Sequence, residues 1–270
     1  MHVKIQLGET PMTRALLVGE VRVPGAEPTF TTALDFLPAV RELAYDVSEL
    51  SLATFLIARA AGKPLRLLPA VLTAAFQHFN LYCNAERLRL SPDELPGRRI
   101  GIRHYTMTPG MWICSLLEEE HGVDSRSLKW VTFADPHVTE FIVPPGVERV
   151  RGGDMTAMLL AGELDAMVSE TQPADPRLQR VFPDPENAAR RWQARHGGAV
   201  QAVHIAVAKR SCVEADAIYA AMAESRQRAD AADRLPFGVE EIRSSLELAI
   251  DSGFRRGLIP RRYTLEELLS

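Results

Sequence analysis

The sequence predicts an α/β protein of two lobes closing around one small ligand. Three observations carry that expectation. Short apolar, strand-like runs alternate with helical runs of amphipathic spacing, the pattern of α/β layering. Two turn-rich links divide the chain in the way a polypeptide does when it leaves one lobe, builds a second and returns. The composition, with 46% hydrophobic and 24% charged residues over 270 positions, is that of a globular chain long enough for one large core or two modest ones.

In chain order, Val3, Ile5 and Leu7 alternate with polar neighbours and predict a strand over 3–7. Further strands are expected at 21–23, 43–47, 65–70, 80–84, 98–102, 128–133, 164–168 and 202–208. A helix over 51–61 places Leu52, Phe55 and Leu56 on one face, with Ser48 or Ser51 to cap it and Gly62 to end it. A helix over 108–120 stacks Trp112 on Leu116. Another over 154–162 opens on Asp154 and repeats Met155, Met158 and Leu159 at helical spacing. Segments 213–232, 239–252 and 264–269 complete the helices.

The first link is Leu90-Ser-Pro-Asp-Glu-Leu-Pro-Gly97, and the second lies around Gly197-Gly198-Ala199. They predict one discontinuous lobe of residues 1–90 plus 203–270 and a second of 91–202. In such an arrangement the ligand lies in the cleft between the lobes, where strand ends and helix N-termini converge.

Bulk properties exclude several classes. The net charge is −4, and the only basic cluster, Arg255, Arg256, Arg261 and Arg262, reads as a solvated face, so no nucleic-acid partner is expected. The three cysteines, Cys83, Cys114 and Cys212, are widely spaced and form neither a disulfide framework nor a zinc motif. No run approaches the roughly 18 apolar residues of a membrane span. The first residues lack the apolar core of a signal peptide, which predicts a cytoplasmic protein. There is no GxGxxG, P-loop, GxSxG or HExxH, so nucleotide, serine-hydrolase and zincin chemistry have no local support.

Several segments resemble one family. Tyr45-Asp-Val-Ser-Glu-Leu-Ser-Leu52 is similar to the fDvSElSl signature of the 4,5-dihydroxyphthalate decarboxylases. Phe76-Gln-His-Phe-Asn-Leu-Tyr-Cys-Asn84 resembles their FRHSxIYVN. Leu95–Ile102 with Tyr105-Thr-Met-Thr108 and Trp112 resembles LkGkrVGvpeYqmTaxvW. Gly162-Glu-Leu-Asp-Ala166, His204 in its strand, Pro236-Phe-Gly238 with Arg243, and Tyr263–Leu268 follow in the same order. The resemblance implies a type II periplasmic-binding-protein-like clamp, each lobe a mixed sheet flanked by helices. It also implies loss of carbon dioxide from a hydroxylated aromatic carboxylate, without an organic cofactor. His78, His104, His204 and Glu49 could converge as ligands, but no pair of them has the local spacing of a metal motif, so no metal is expected. Gln77 and Phe79 stand where the family has arginine and serine, and Ile242 where it has asparagine.

Such a reaction needs a proton donor and groups that hold anionic oxygens. His78, in the FRHS-like segment, is the expected general acid; an imidazole titrates near neutral pH. Glu49, just before the helix at 51–61, is expected to accept a substrate hydroxyl proton. His104 sits in the turn after strand 98–102 and joins the expected catalytic set. Arg14, Ser48, Ser51, Tyr105, Thr108 and His204 are the expected substrate contacts. Asp165 reads as a turn residue, and Glu170 as a candidate for the opposite wall. The expected partner is a small-molecule carboxylate, with homo-oligomerisation left open. Two other readings stay open: a non-catalytic solute-binding protein, and a different lyase or dehydratase on the same clamp.

Overall fold

A computed structural model describes all residues 1–270. The first sheet runs in the order β2-β1-β3-β11-β4. Its strands are β1 (His2–Gln6), β2 (Glu27–Thr31), β3 (Val47–Ser51), β4 (Leu65–Ala74) and, from far downstream, β11 (Ala202–Lys209). Helices α1 (Arg14–Leu17) and α2 (Leu52–Ala60) belong to this first stretch of chain. The second sheet runs β10-β5-β9-β6-β7-β8. It comprises β5 (Leu81–Asn84), β6 (Arg99–Ile102), β7 (Lys129–Thr132), β8 (Glu148–Arg149), β9 (Ala166–Val168) and β10 (Leu178–Arg180). Its helices are α3 (Thr108–His121), α4 (Met155–Ala161) and α5 (Pro185–Arg195). The chain closes with α6 (Ala215–Gln227), α7 (Val239–Arg255) and α8 (Leu265–Leu269). Both sheets are mixed: β1 pairs in parallel with β2 and β3, and β6 with β7 and β9, whereas β11 and β5 pair antiparallel to their neighbours.

Sheet membership changes between Ala74 and Leu81, ahead of the Leu90–Gly97 link that the turn residues favour. β5 pairs with β9 and β10 in the second sheet, so residues 81–84 sit there and not with the first sheet. The outgoing segment and the returning one lie side by side. Gln201 O accepts from Ala75 N at 3.1 Å, and Gln201 Oε1 accepts from Gln77 N at 2.7 Å. Beside them Phe76, Trp192 and Trp112 pack edge to face, and Trp112 Nε1 donates to Ala202 O at 2.9 Å. The largest apolar cluster runs through α2, α3 and α7 and takes side chains from both sheets, Leu50 and Ile205 from one and Ile100 and Ala166 from the other.

Several expectations shift. No strand forms at 21–23, where Val21 and Val23 are buried in an irregular connection. The strand comes instead at 27–31, a segment holding Pro28, and β2 is an edge strand, where a missing N–H is tolerated. The strand expected at 43–47 is displaced to Val47–Ser51, because a short π-helical turn over Pro38–Glu42 ends on Leu43 with φ of 51°. Helix α5 has no counterpart among the expected elements. It is mostly polar outside, capped by Asp184 with Pro185 at its first position, and held by Ala188, Ala189 and Trp192.

Candidate functional site

Strand alternation sets the floor of the site. Glu49 lies opposite Ala206, and Ser51 opposite His204, across the β3–β11 pair. Side chains two apart share a face, so Glu49, Ser51 and His204 project from the same side of the sheet, with Glu49 and His204 as diagonal neighbours. His204 Nδ1 meets Glu49 Oε1 at 2.7 Å. The other carboxyl oxygen of Glu49, Oε2, accepts from Gly8 N at 2.9 Å. Glu49 is 1% exposed and His204 19%, so the acid is sealed beneath a histidine that reaches the cleft. His204 Nε2 has no protein partner. A carboxyl that grips one ring nitrogen fixes the tautomer and aim of the other.

The facing wall comes from the ends of β6 and β7. His104 follows β6 and His137 follows β7, and their rings lie 4.3 Å apart. His104 Nδ1 contacts Thr106 Oγ1 at 3.1 Å, and its Nε2 is buried without a partner. His137 Nδ1 contacts Thr54 Oγ1 at 3.0 Å. Burial first, then the neighbouring histidine and Arg103, hold His104 down to about 3. Burial, then Arg103 and Arg41, hold His137 down to about 4. Both rings are therefore neutral near pH 7 and recognise a ligand by hydrogen bonding and not by charge. Phe36 stands edge-on between His137 and His204, at 5.6 and 5.2 Å.

Phe36, Ser51, Arg103, His104, His137 and His204, together with Glu170, line a chamber of about 20 Å³. Phe36, Arg103, His104 and His137 also line an outer cavity of about 540 Å³, within the range of small-molecule sites. Arg103 is 59% exposed and reaches Glu170 at 3.6 Å, so it is the exposed cation where the two spaces meet. No three His, Cys, Asp or Glu side chains converge with the geometry of metal ligands.

Among known proteins, no family model matches this chain. It is 32% identical to the 4,5-dihydroxyphthalate decarboxylase of Comamonas testosteroni over 212 residues, covering 72% of this chain and 64% of that protein. It is 30% identical to the 4,5-dihydroxyphthalate decarboxylase of Pseudomonas putida over 214 residues, covering 71% of this chain and 81% of that one. The chain belongs to the 4,5-dihydroxyphthalate decarboxylase family. Its fold is the type II periplasmic-binding-protein clamp. The periplasmic aliphatic sulphonate binding protein SsuA of Escherichia coli superposes with a TM-score of 0.62 at 11% identity, over 100% of this chain and 92% of that one. The alignment spans less than two thirds of the Comamonas decarboxylase's length.

Of the expected site residues, the structure gathers Glu49, His104, His204, Ser51 and Thr108 around the chamber. Thr108 is not the cap of α3, whose N-cap position is Met107. Thr108 Oγ1 instead accepts from Ala53 N at 3.0 Å and contacts Ser51 Oγ at 3.1 Å, so it satisfies the first turn of α2 across the cleft.

His78, the expected general acid, lies elsewhere. It is fully buried in the 3₁₀ turn Gln77–Phe79, against Phe182, with Nε2 at 3.1 Å from Glu120 Oε2. Glu120 sits twelve residues along α3 from Thr108, about 18 Å down the helix axis from the cleft. Tyr105 turns away from the cleft, and its ring covers the Arg256 guanidinium at 4.5 Å. Ser48 points through the opposite face of the sheet from Glu49, by alternation. Arg14 is exposed on α1 and lines neither space.

The family departures fall outside the chamber as well. Gln77 braces the crossover by donating to Ala75 O and accepting from Asn80. Phe79 lies under Arg180, and Ile242 is core in α7. His137, Arg103 and Phe36 are the site residues that sequence reasoning missed. His137 carried a readable signal, an Asp-Pro-His loop directly after a strand. Nothing in the sequence marked Phe36.

Proposed function

We propose that the cleft is a decarboxylation site for a hydroxylated aromatic carboxylate of the 4,5-dihydroxyphthalate type. Membership of the decarboxylase family supports the reaction class. The single observation that carries the reading is the Glu49–His204 pair, a buried carboxyl presenting a histidine whose second nitrogen is free at the chamber. His204 Nε2 delivers a proton to the ring carbon that bears the carboxylate. The carbon–carboxylate bond then breaks, its electron pair restores the aromatic ring, and carbon dioxide leaves. Glu49 stabilises the imidazolium before the transfer and fixes the ring for it. His104 and His137, neutral near pH 7, hold the ring hydroxyls, and Arg103 meets a carboxylate.

This assignment gives the proton role to His204 and leaves His78 as a core residue. The inner chamber alone is too small for an aromatic diacid, so the substrate occupies the outer cavity with Phe36 displaced. The test is incubation of the purified protein with 4,5-dihydroxyphthalate, phthalate and protocatechuate, with carbon dioxide release and product mass followed. Turnover of a hydroxylated substrate supports the reading, and loss of water in its place would make the protein a dehydratase. Saturable binding with no chemistry across the panel would make it a receptor.

A further inference from the structure

Three hydroxyls and a histidine form one hydrogen-bonded row beside the chamber. Thr108 Oγ1 lies 3.1 Å from Ser51 Oγ, Ser51 Oγ 3.2 Å from Thr54 Oγ1, and Thr54 Oγ1 3.0 Å from His137 Nδ1. The row begins on α3, passes through the end of β3 and the first turn of α2, and ends on the loop after β7. Thr108, Ser51 and Thr54 are buried, and His137 is half-buried, lining both the chamber and the outer cavity.

Each hydroxyl owns one proton, and the far end of the row decides where all of them point. Thr108 Oγ1 already accepts from Ala53 N at 3.0 Å, and the one acceptor left for its own proton is Ser51 Oγ. Ser51, an acceptor toward Thr108, gives its proton to Thr54 Oγ1. Thr54, an acceptor toward Ser51, then donates to His137 Nδ1. The opposite direction would begin with hydrogen on Nδ1 and leave the Thr108 proton enclosed without an acceptor, which is costly.

His137 is neutral near pH 7, held down to about 4 by burial first and then by Arg103 and Arg41, so one ring nitrogen carries the hydrogen. With Nδ1 accepting, that nitrogen is Nε2. It has no partner in the protein and, unlike Nε2 of His104, is not sealed from the cavities.

We propose that the Thr108–Ser51–Thr54 row is a positioning device that fixes His137 as a one-way Nε2–H donor, selecting a ligand oxygen that only accepts, a phenolate or a carbonyl. The donor sense stands on the row alone, and its use in catalysis rests on the decarboxylase reading. In that reaction the substrate binds with one ring hydroxyl ionised, conjugated with the carbon to be protonated. As that carbon takes the proton from His204 Nε2, a ring electron pair forms the new carbon–hydrogen bond and the phenolate becomes a carbonyl. When the carbon–carboxylate bond breaks, its pair restores the ring, the carbonyl returns to phenolate and carbon dioxide leaves. The oxygen accepts at every stage, so a donor that cannot reverse serves all of them.

The test labels the histidines of the full chain with nitrogen-15 and reads the ring tautomers by NMR, the signal of His137 being assigned with His137→Leu. The expected spectrum shows hydrogen on Nε2 and a hydrogen-bonded Nδ1. Thr54→Val keeps the side-chain shape and should move the Nδ1 signal to that of an acceptor without a donor, and Thr54→Ser should restore it. Two probes are titrated alongside: 4-nitrophenol, ionised to its phenolate, and 4-nitroanisole, its methyl ether. His137→Leu should weaken the phenolate about tenfold, the loss of one charge-assisted hydrogen bond, and change the ether less than about twofold. Hydrogen on Nδ1 in the parent, an Nδ1 signal that T54V leaves in place, or equal losses for both probes in H137L would each overturn the proposal. The parent spectrum and the probe pair decide the matter if Thr54→Val does not fold. None of these readouts needs turnover, so a failed carbon dioxide assay beside the expected spectrum strikes the reaction and leaves the donor.

Discussion

Glu49→Gln is the most informative single substitution. The side chain keeps its volume but exchanges one acceptor for a donor. Glu49 Oε1 serves His204 Nδ1 at 2.7 Å, and Oε2 serves Gly8 N at 2.9 Å. A glutamine with its amide nitrogen toward Gly8 would oppose two donors and leave a buried N–H unsatisfied, at about 1–3 kcal/mol. The oxygen therefore stays on Gly8 and the amide nitrogen faces His204. Nδ1 must then accept, and the protonated imidazolium loses its carboxyl partner. Loss of one charge-assisted hydrogen bond is about 2–3 kcal/mol, which lowers the rate by about 30- to 150-fold. The inverted tautomer extends the loss toward about 10⁴-fold. The assay is kcat/KM for carbon dioxide release, beside a melting curve that should stay within about 5 °C of the parent. A folded variant retaining kcat/KM within about threefold would refute the proton role of the pair.

Three further outcomes follow from the same geometry. A Cβ on Gly8 would lie 3.2 Å from Glu49 Oε2 and 3.3 Å from Leu34 Cδ1, so Gly8→Ala should shift the carboxyl by a few tenths of an ångström. We expect kcat/KM to drop about tenfold with KM little altered, measured by steady-state kinetics. His78→Phe should cost about 1–3 kcal/mol in urea unfolding, by removing the hydrogen bond to Glu120 Oε2 and leaving that oxygen without its partner, Arg195 remaining 3.7 Å from Oε1. It should leave kcat/KM unchanged; a loss of activity in the folded variant would restore His78 as a candidate acid. The folded-state values of His104, about 3, and His137, about 4, lie below the 6.5 of an unfolded histidine. The unfolded chain thus takes up protons first as pH falls, and stability declines from about pH 6.5 down to those values, by at most about 1.4 kcal/mol per pH unit for each ring. Urea midpoints at pH 7, 6 and 5 should fall accordingly, with a shallower slope in His104→Gln.

The layered α/β plan was legible because apolar alternation and helix caps are local. Ser51, Asp154 and Asp184 cap the helices that follow them, and the sequence alone offers the first two in that role. The switch between sheets was harder to place, because strand pairing is not local. Residues 81–84 look like any short apolar strand, and only their pairing with β9 and β10 assigns them. The site divided along the same line. Glu49 and His204 stand out separately, but nothing local says that residues 155 positions apart form one hydrogen bond. His78 misled because a histidine amid apolar residues has the same spelling whether it serves a core or a cleft. Tyr105 and His104, adjacent in one turn, face opposite cavities, a difference of backbone direction that spelling does not carry.

The strand order of the first sheet bears on how the protein is born. β3 and β4 are consecutive in the chain yet never touch as partners, since β11 fills the slot between them. A ribosome making roughly 5–20 residues per second needs about 8–30 s to travel from Ser51 to Ala202. For that interval the nascent chain carries two strand edges waiting for a third, and Glu49 waits without its histidine. The second sheet waits too, but for a shorter stretch of chain, since β5 gains its partners β9 and β10 by Arg180. The order of synthesis thus completes the second sheet first, and the insertion of 202–209 finishes the first sheet and the Glu49–His204 pair in one event.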